Sequence, residues 1–194
     1  MIINYKEEKM IILASASPRR RELLKMIFND FEVIPADIDE DIHENCDMER
    51  YPELLAIKKA RHIAQQEAIS GDDIVIGCDT GVFIDGEMLG KPHDEREAAE
   101  MLTRLSGKTH KVITGCCVIG KGREIGFSEV TEVEFYSLSK KEIDDYINTG
   151  EPMDKAGSYG IQGQGALLVS RICGDFYNVV GLPVSRLKRE IEKI

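Results

Sequence analysis

Tryptophan is absent from this 194-residue chain, and aromatic residues make up only 6% of it. Single-strand nucleic-acid binders want stacking rings in a basic groove, and both are scarce here. Positive charge is in deficit: 25 Lys and Arg face 35 Asp and Glu, a formal net charge of -10. That field repels nucleic acid and anionic membrane wherever no local basic patch reverses it. No apolar run approaches the roughly 20 residues that span a bilayer. The opening "MIINYKEEKM" has no signal-peptide core. The expectation is a cytoplasmic protein with no nucleic-acid and no membrane partner. The five cysteines, Cys46, Cys78, Cys116, Cys117 and Cys173, are odd in number and contain no C-x-x-C pair. This argues against a disulfide framework or structural zinc and for reduced thiols. Cys78, Cys116 and Cys117 lie in apolar runs and read as small core residues.

Familiar sites are also missing. There is no G-x-x-x-x-G-K-[ST] loop, no G-x-G-x-x-G fingerprint, no H-E-x-x-H and no G-x-S-x-G. Asp79 is followed by Thr80 and Gly81 rather than by the D-x-D of aspartyl-phosphate enzymes. His43, His62, His93 and His110 show no pairing that suggests zinc. Repeats, low-complexity stretches and Pro/Gly/Ser linkers are lacking, so residues 1–194 read as a single domain.

What is present interleaves strands and helices, so the expected fold class is α/β with a mixed sheet. The spacing predicts strands at Met10–Leu13, "FEVIPADID", "DIVIGCDTGVFIDGEML", "HKVITGCCVIG", "EIGFSEVTEVEFYSL" and "GALLVSRIC". The third of these carries a break at Asp79 and a hairpin at Asp85-Gly86. Helices are expected after Ser17-Pro18, over Met48–Ala68, in "DEREAAEMLTRLSG", in "SKKEIDDYINTG" and after Pro183. Ser139 and Glu142 have capping-box spacing.

Polar residues crowd at four places. "ASASPRRRELL" puts Arg19, Arg20 and Arg21 in the first turn of a helix. Cations at that positive dipole end are disfavoured by roughly 0.3–1 kcal/mol each. An anion recruited by the arginines, Ser15 and Ser17 would account for them, and a solvated basic turn would serve equally. The acidic run from Asp37 through Asp39, Glu40, Asp41 and Glu44 to Glu53 reads mostly as a solvated loop. Asp39 and Glu40 follow a predicted strand directly, where one or two carboxylates suit a divalent cation. Asp79 sits at the end of an apolar run, an expensive place for a carboxylate unless it is paired or bound to metal. Lys91 lies in a "GKP" turn that offers its charge to phosphate or to water. "MDKAGSYGIQGQG" allows close backbone approach to a ligand, and its Gln162 can both donate and accept hydrogen bonds. Basic, acidic and glycine-rich pieces without a covalent nucleophile suit metal-assisted attack of water on a phosphate chain.

These residues, with "LASASPRRRELL", "DIDE", "LAIKKA", "GCDT", "DGEMLGKP", "MLTRLSGKTHKVITG", "EPMDKAGSYGIQGQGALLV" and "GDFYNVVGLP", resemble the Maf nucleotide pyrophosphatases, or septum-formation-inhibitor Maf-like proteins, over about residues 11 to 185. The closest likeness is to the branch acting on dTTP and UTP. The resemblance implies an elongated mixed sheet flanked by helices, in two lobes with a cleft between them, of Maf/ITPase-like type. It implies a cytoplasmic hydrolase that takes a nucleoside triphosphate to the monophosphate and pyrophosphate with Mg2+ or Mn2+, and it is compatible with a homodimer. By motif, Asp79 matches the general base and, with Glu40, the metal-binding carboxylates. Arg19, Thr80 and Gln162 match positions that set pyrimidine preference. Ser15, Ser17, Arg19, Lys59 and Lys91 match phosphate-site residues. The chain departs in its first nine residues and at Gly81, where a larger residue is usual and a looser pocket wall is expected. The rival reading is a non-catalytic, nucleotide-sensing regulator of cell division; the carboxylates weigh against it, since bare phosphate binding gains nothing from added negative charge.

Overall fold

The computed structural model describes residues 9–40 and 47–194. The expectations for Asp41, His43, Glu44 and Cys46, and for the first eight residues, lie outside that range.

Among the described residues seven strands form one mixed sheet: β1 (Ile11–Leu13), β2 (Glu32–Val33), β3 (Ile74–Ile84), β4 (Glu87–Leu89), β5 (Thr109–Gly120), β6 (Arg123–Phe135) and β7 (Val169–Cys173), ordered β2-β1-β3-β5-β6-β7 with β4 on β3. β1 runs parallel to β2 and β3, while β4 and β7 are antiparallel to their partners. The helices are α1 (Pro18–Leu24), α2 (Tyr51–Ala64), α3 (Glu95–Leu105), α4 (Lys140–Ile147), α5 (Phe176–Val180) and α6 (Val184–Ile191). Among the described residues no helix is long and apolar enough to cross a membrane.

Local chemistry accounts for most element ends. Ser17 caps α1 and Pro18 opens it, Asp94 caps α3, and Ser139 with Glu142 closes a full capping box on α4. The β3–β4 turn places Asp85 at φ 55° and Gly86 at φ 80°, the left-handed pair of a tight hairpin.

Four expectations need correction. β3 is not broken at Asp79 but continues to Ile84; a strand is held by its backbone ladder, and the Asp79 charge is paired from a helix, so nothing forces an end there. "FEVIPADID" yields only two strand residues, because Pro35 has no N–H to extend the ladder. The long helix is a 3₁₀ turn at Met48–Arg50 followed by α2, which stops at Ala64. "GALLVSRIC" becomes strand only at Val169; Gly163–Leu168 form a 3₁₀ segment entered through Gly163 at φ 67°.

The chain divides into two compact units. The first gathers the described residues up to Asp79 with Thr114–Glu129 and Gly181–Ile194. Its core includes Ile12, Ala14, Ala56, Ala60, Ile63, Val75 and Cys117. α2 lies hard against strand backbone there: a Cβ on Gly77 would come 2.2 Å from the Ala56 carbonyl oxygen, and one on Gly115 would come 2.2 Å from the Glu53 nitrogen. Both positions must be glycine for the helix to sit so close.

The second unit holds Thr80–Ile113 and Val130–Val180. Its core packs α3 and α4 residues such as Leu102, Leu105 and Ile143 with Val112, Val133 and Phe135. A buried histidine stands in this core. His110 is 2% exposed, lies edge-on to Phe135 and Tyr159, and its Nε2 is 2.7 Å from the Tyr159 hydroxyl. Its Nδ1 has no hydrogen-bond partner. Burial holds the imidazole down to about 4 from its ordinary 6.5, since a charged ring would need a second acceptor.

This histidine should make folding acid-sensitive. Its folded value is depressed, so its contribution is intact above pH 6.5 and is lost as pH falls toward 4, by about 3 kcal/mol in all. Urea midpoints across pH 4–7 for wild type and His110→Phe check this: the wild type should lose more stability with acid than the variant, and parallel slopes would clear His110.

Candidate active site

The turn after β1 is knotted by hydroxyls and one arginine. The Ser15 hydroxyl accepts from the Ser17 N–H at 3.3 Å and from Arg20 Nη1 at 3.1 Å. The Ser17 hydroxyl accepts from the Arg20 N–H at 3.4 Å. A serine oxygen has two acceptor positions and one O–H donor. Ser15 is thus saturated as an acceptor, and its remaining capacity is to donate, which suits an anion.

Arg20 is the unexpected member. Its Nη1 also donates to the Cys78 carbonyl at 2.9 Å, and its Nε donates to the Gly181 carbonyl at 2.9 Å. One guanidinium therefore joins the serine turn, the residue preceding Asp79 and the segment before α6. Charge-assisted bonds of this kind offset the poor placement of a cation at a helix start. Arg19 is half-buried and Arg21 exposed, so the three arginines have different surroundings.

Asp79 and Glu40 meet on one ammonium. Lys59 of α2 stands 2.8 Å from Asp79 Oδ1 and 2.7 Å from Glu40 Oε1. The Lys59 side chain is 11% exposed, that of Asp79 18% and that of Glu40 62%. Lys59 lies four residues after Leu55 and three after Ala56, both buried, so helical spacing sets it at the rim of the apolar stripe. Two further α2 side chains hold the loop that carries Glu40: the Tyr51 hydroxyl donates to the Glu40 carbonyl at 2.6 Å, and Lys58 Nζ donates to the Asp39 carbonyl at 2.6 Å.

The donor set fits a small hard cation only in part from protein. Among the described residues no three His, Cys, Asp or Glu side chains cluster to hold a metal. Two convergent carboxylates remain, which is the pattern Mg2+ uses when substrate phosphates and water complete its shell. The thiols nearby, Cys78, Cys116 and Cys117, are fully buried and closed to a ligand; burial pushes Cys116 well up and Cys117 to about 12, while the hydrogen bond with Cys116 lowers Cys78.

The second unit carries the other expected residues. Thr80 is half-buried in β3, Lys91 is exposed after β4, and Gln162 is exposed. The Gly157 N–H donates to the Gly90 carbonyl at 2.9 Å, which ties the Lys91 turn to the glycine-rich segment. The space beside Gly81 is filled rather than loose: a Cβ there would lie 2.8 Å from the Phe83 ring and 3.0 Å from the Met88 sulfur.

Motif reading missed Arg20, Tyr51 and Lys58 as site-builders. Arg20 had a signal, since it precedes Leu23 and Leu24 by three and four residues and so flanks the buried face of α1. Tyr51 and Lys58 share an α2 face at i,i+7, but their acceptors are backbone carbonyls, which no side-chain pattern marks.

These features define an α/β protein with a carboxylate–lysine centre beside a serine–arginine turn. In fold it matches the solved Staphylococcus aureus Ham1 protein, with a TM-score of 0.55 at 17% identity, covering 95% of this chain and 99% of that one. The family description "Maf-like protein" matches residues 10–194, and the chain belongs to this family. Relatives named dTTP/UTP pyrophosphatase include those of Bacillus cereus strain ATCC 10987, 49% identical over 95% of this chain and 90% of the relative, and Bacillus velezensis, 49% identical over 95% and 96%. That of Geobacillus sp. strain WCH70 is 49% identical over 96% and 98%.

Arg20→Ala should leave carbonyls that water reaches poorly, at about 1–3 kcal/mol for each buried acceptor lost. At roughly 2–4 °C per kcal/mol for a chain of this length, melting should fall by roughly 4–24 °C for the two carbonyls together. Arg20→Lys should recover only part of it, because an ammonium lacks the guanidinium fork. An unchanged melting temperature in Arg20→Ala would show that the knot holds without it.

Proposed function

We propose that this chain hydrolyses dTTP and UTP to the nucleoside monophosphate and pyrophosphate. The observation that carries the reading is the pair of carboxylates, Asp79 and Glu40, held on the Lys59 ammonium. Relatives named dTTP/UTP pyrophosphatase, near 49% identity over almost the whole chain, support it.

In this reading Asp79 is the general base. Lys59 holds one of its oxygens, and the other takes a proton from water attacking the α-phosphorus. Ser15 donates its O–H to phosphate oxygen, with Ser17 and Arg19 beside it on the same turn. Lys91 adds a positive charge for the phosphate chain. Glu40 and Asp79 are the residues that would hold a divalent cation, which supplies neutralisation of the triphosphate and a lowered pKa for bound water. Thr80, Arg19 and Gln162 set the pyrimidine preference. Thymine and uracil present an N3–H donor between two carbonyl acceptors, and the Gln162 amide can answer the donor and one acceptor together. Cytosine lacks that N–H and reverses one neighbour, leaving a polar group unmatched.

Purified protein with dTTP and Mg2+ or Mn2+ should release pyrophosphate and dTMP, and EDTA should stop it. Initial release of orthophosphate would overturn the reading. Asp79→Asn should lower kcat by about 10²–10⁴-fold, the usual range for a lost general base, with melting within a few degrees of wild type. Near-normal turnover would remove Asp79 from the mechanism.

Gln162→Ala should flatten the preference for dTTP and UTP over CTP by roughly 5- to 150-fold, the value of one buried unpaired polar group. The rate with the best nucleotide should change less. kcat/KM for dTTP, UTP, CTP and GTP measures this, and an unchanged ranking would clear the glutamine.

A further inference from the structure

We propose that Glu151 is the positioning residue for base selection: its carboxylate holds the backbone that presents Gln162. This rests on the function proposed above and adds a residue to it. Glu151 Oε1 accepts from the Gln164 N–H at 3.1 Å, and Oε2 accepts from the Gly165 N–H at 3.4 Å. The upstream side is held separately, by the Gly160 N–H donating to the Tyr146 hydroxyl at 3.2 Å. Burial chiefly pushes the Tyr146 phenol up to about 12, with the Glu151 charge adding to the rise, so the hydroxyl that accepts from Gly160 stays protonated.

Gln162 lies between these clamps. Ile161 before it is buried and Gln162 itself is exposed, and its amide makes no hydrogen bond to another described residue. Gly163 follows at φ 67°. A Cβ there would lie 2.7 Å from Glu151 Oε1, so the carboxylate occupies the room a side chain would need. Glu151 is itself anchored. Its N–H donates to Thr149 Oγ1 at 3.1 Å, and its carbonyl accepts from the Lys155 ammonium. The loop backbone is fixed while the Gln162 side chain keeps its full hydrogen-bonding capacity. That is preorganisation: the ordering cost is met in folding rather than on binding.

The test pairs kinetics with amide exchange. In Glu151→Ala, hydrogen exchange at Gln164 and Gly165 should rise at least about tenfold, with the Gly157 amide, bonded to Gly90, as an unchanged reference. The ratio of kcat/KM for dTTP over CTP should fall at least about fivefold, while kcat for dTTP stays within about threefold of wild type. Glu151→Gln keeps one carbonyl acceptor and should fall between the two. A uniform loss of kcat on all nucleotides with the ratio intact would mean a merely structural role and overturn the proposal, as would unchanged exchange at Gln164 and Gly165. Wild-type protein that cleaves none of the nucleotides would overturn the proposed function instead, and the exchange rates would then judge the clamp alone.

Discussion

A single ammonium between two carboxylates is the contact on which the first unit's site depends. Asp79 and Glu40 would repel each other if brought together alone, and a half-buried carboxylate has little water to relieve it. Lys59 removes that obstacle and leaves a net negative charge at the centre, the sign that draws a divalent cation. Breaking such a group by removing the lysine would strand a charge in a poorly solvated place, which is far more damaging than never having built it. The arrangement needs α2 at an unusually short distance from the strands, and Gly77 and Gly115 provide this by having no side chain. The same helix then uses Tyr51 and Lys58 to hold the Glu40 loop by its carbonyls. One helix thus sets both carboxylates.

The serine–arginine turn works on the other side of the charge balance. Three arginines at a helix start look electrostatically wrong when the helix is considered alone. In the fold, Arg20 faces carbonyl oxygens of Cys78 and Gly181, whose partial negative charges replace the water it gives up. Its hydrogen bond to Ser15 also orients that hydroxyl, since an oxygen with both acceptor positions filled can only donate. A structural cation and a hydroxyl left to donate are consequences of the same bonds.

In the proposed function the second unit would read a base edge, whose donors and acceptors are fixed, so the Gln162 amide has to be held in place without being used itself. Glu151 and Tyr146 achieve this by bonding backbone N–H groups on either side of Gln162. The glycines of this segment are required by close approach and by two left-handed backbone positions, Gly157 and Gly163, rather than being a sign of looseness.

Much of this was legible in the linear chain wherever the physics is local. Ser17-Pro18, Asp94 and the Ser139/Glu142 box announced helix starts because caps satisfy backbone donors within three residues. Asp85-Gly86 announced its hairpin because few other pairs tolerate two left-handed residues. Asp79 drew notice as a charge in an apolar run, and its block with Ser15, Lys59 and Gln162 carried the family likeness. Where the deciding energy came from distant partners, the chain alone was silent or misleading. A break was expected at Asp79 because an unpaired charge ends a buried strand, and only the fold supplies Lys59 to pair it. Helical spacing sets Arg20 beside the buried Leu23 and Leu24, but nothing adjacent in the chain names its partners, the carbonyls of Cys78 and Gly181, 58 and 161 positions away. The composition and local pattern determined the elements and the candidate chemistry; the tertiary structure decided which charges meet, because a side chain's partner is set by backbone brought close from elsewhere, and that proximity is written in no single segment.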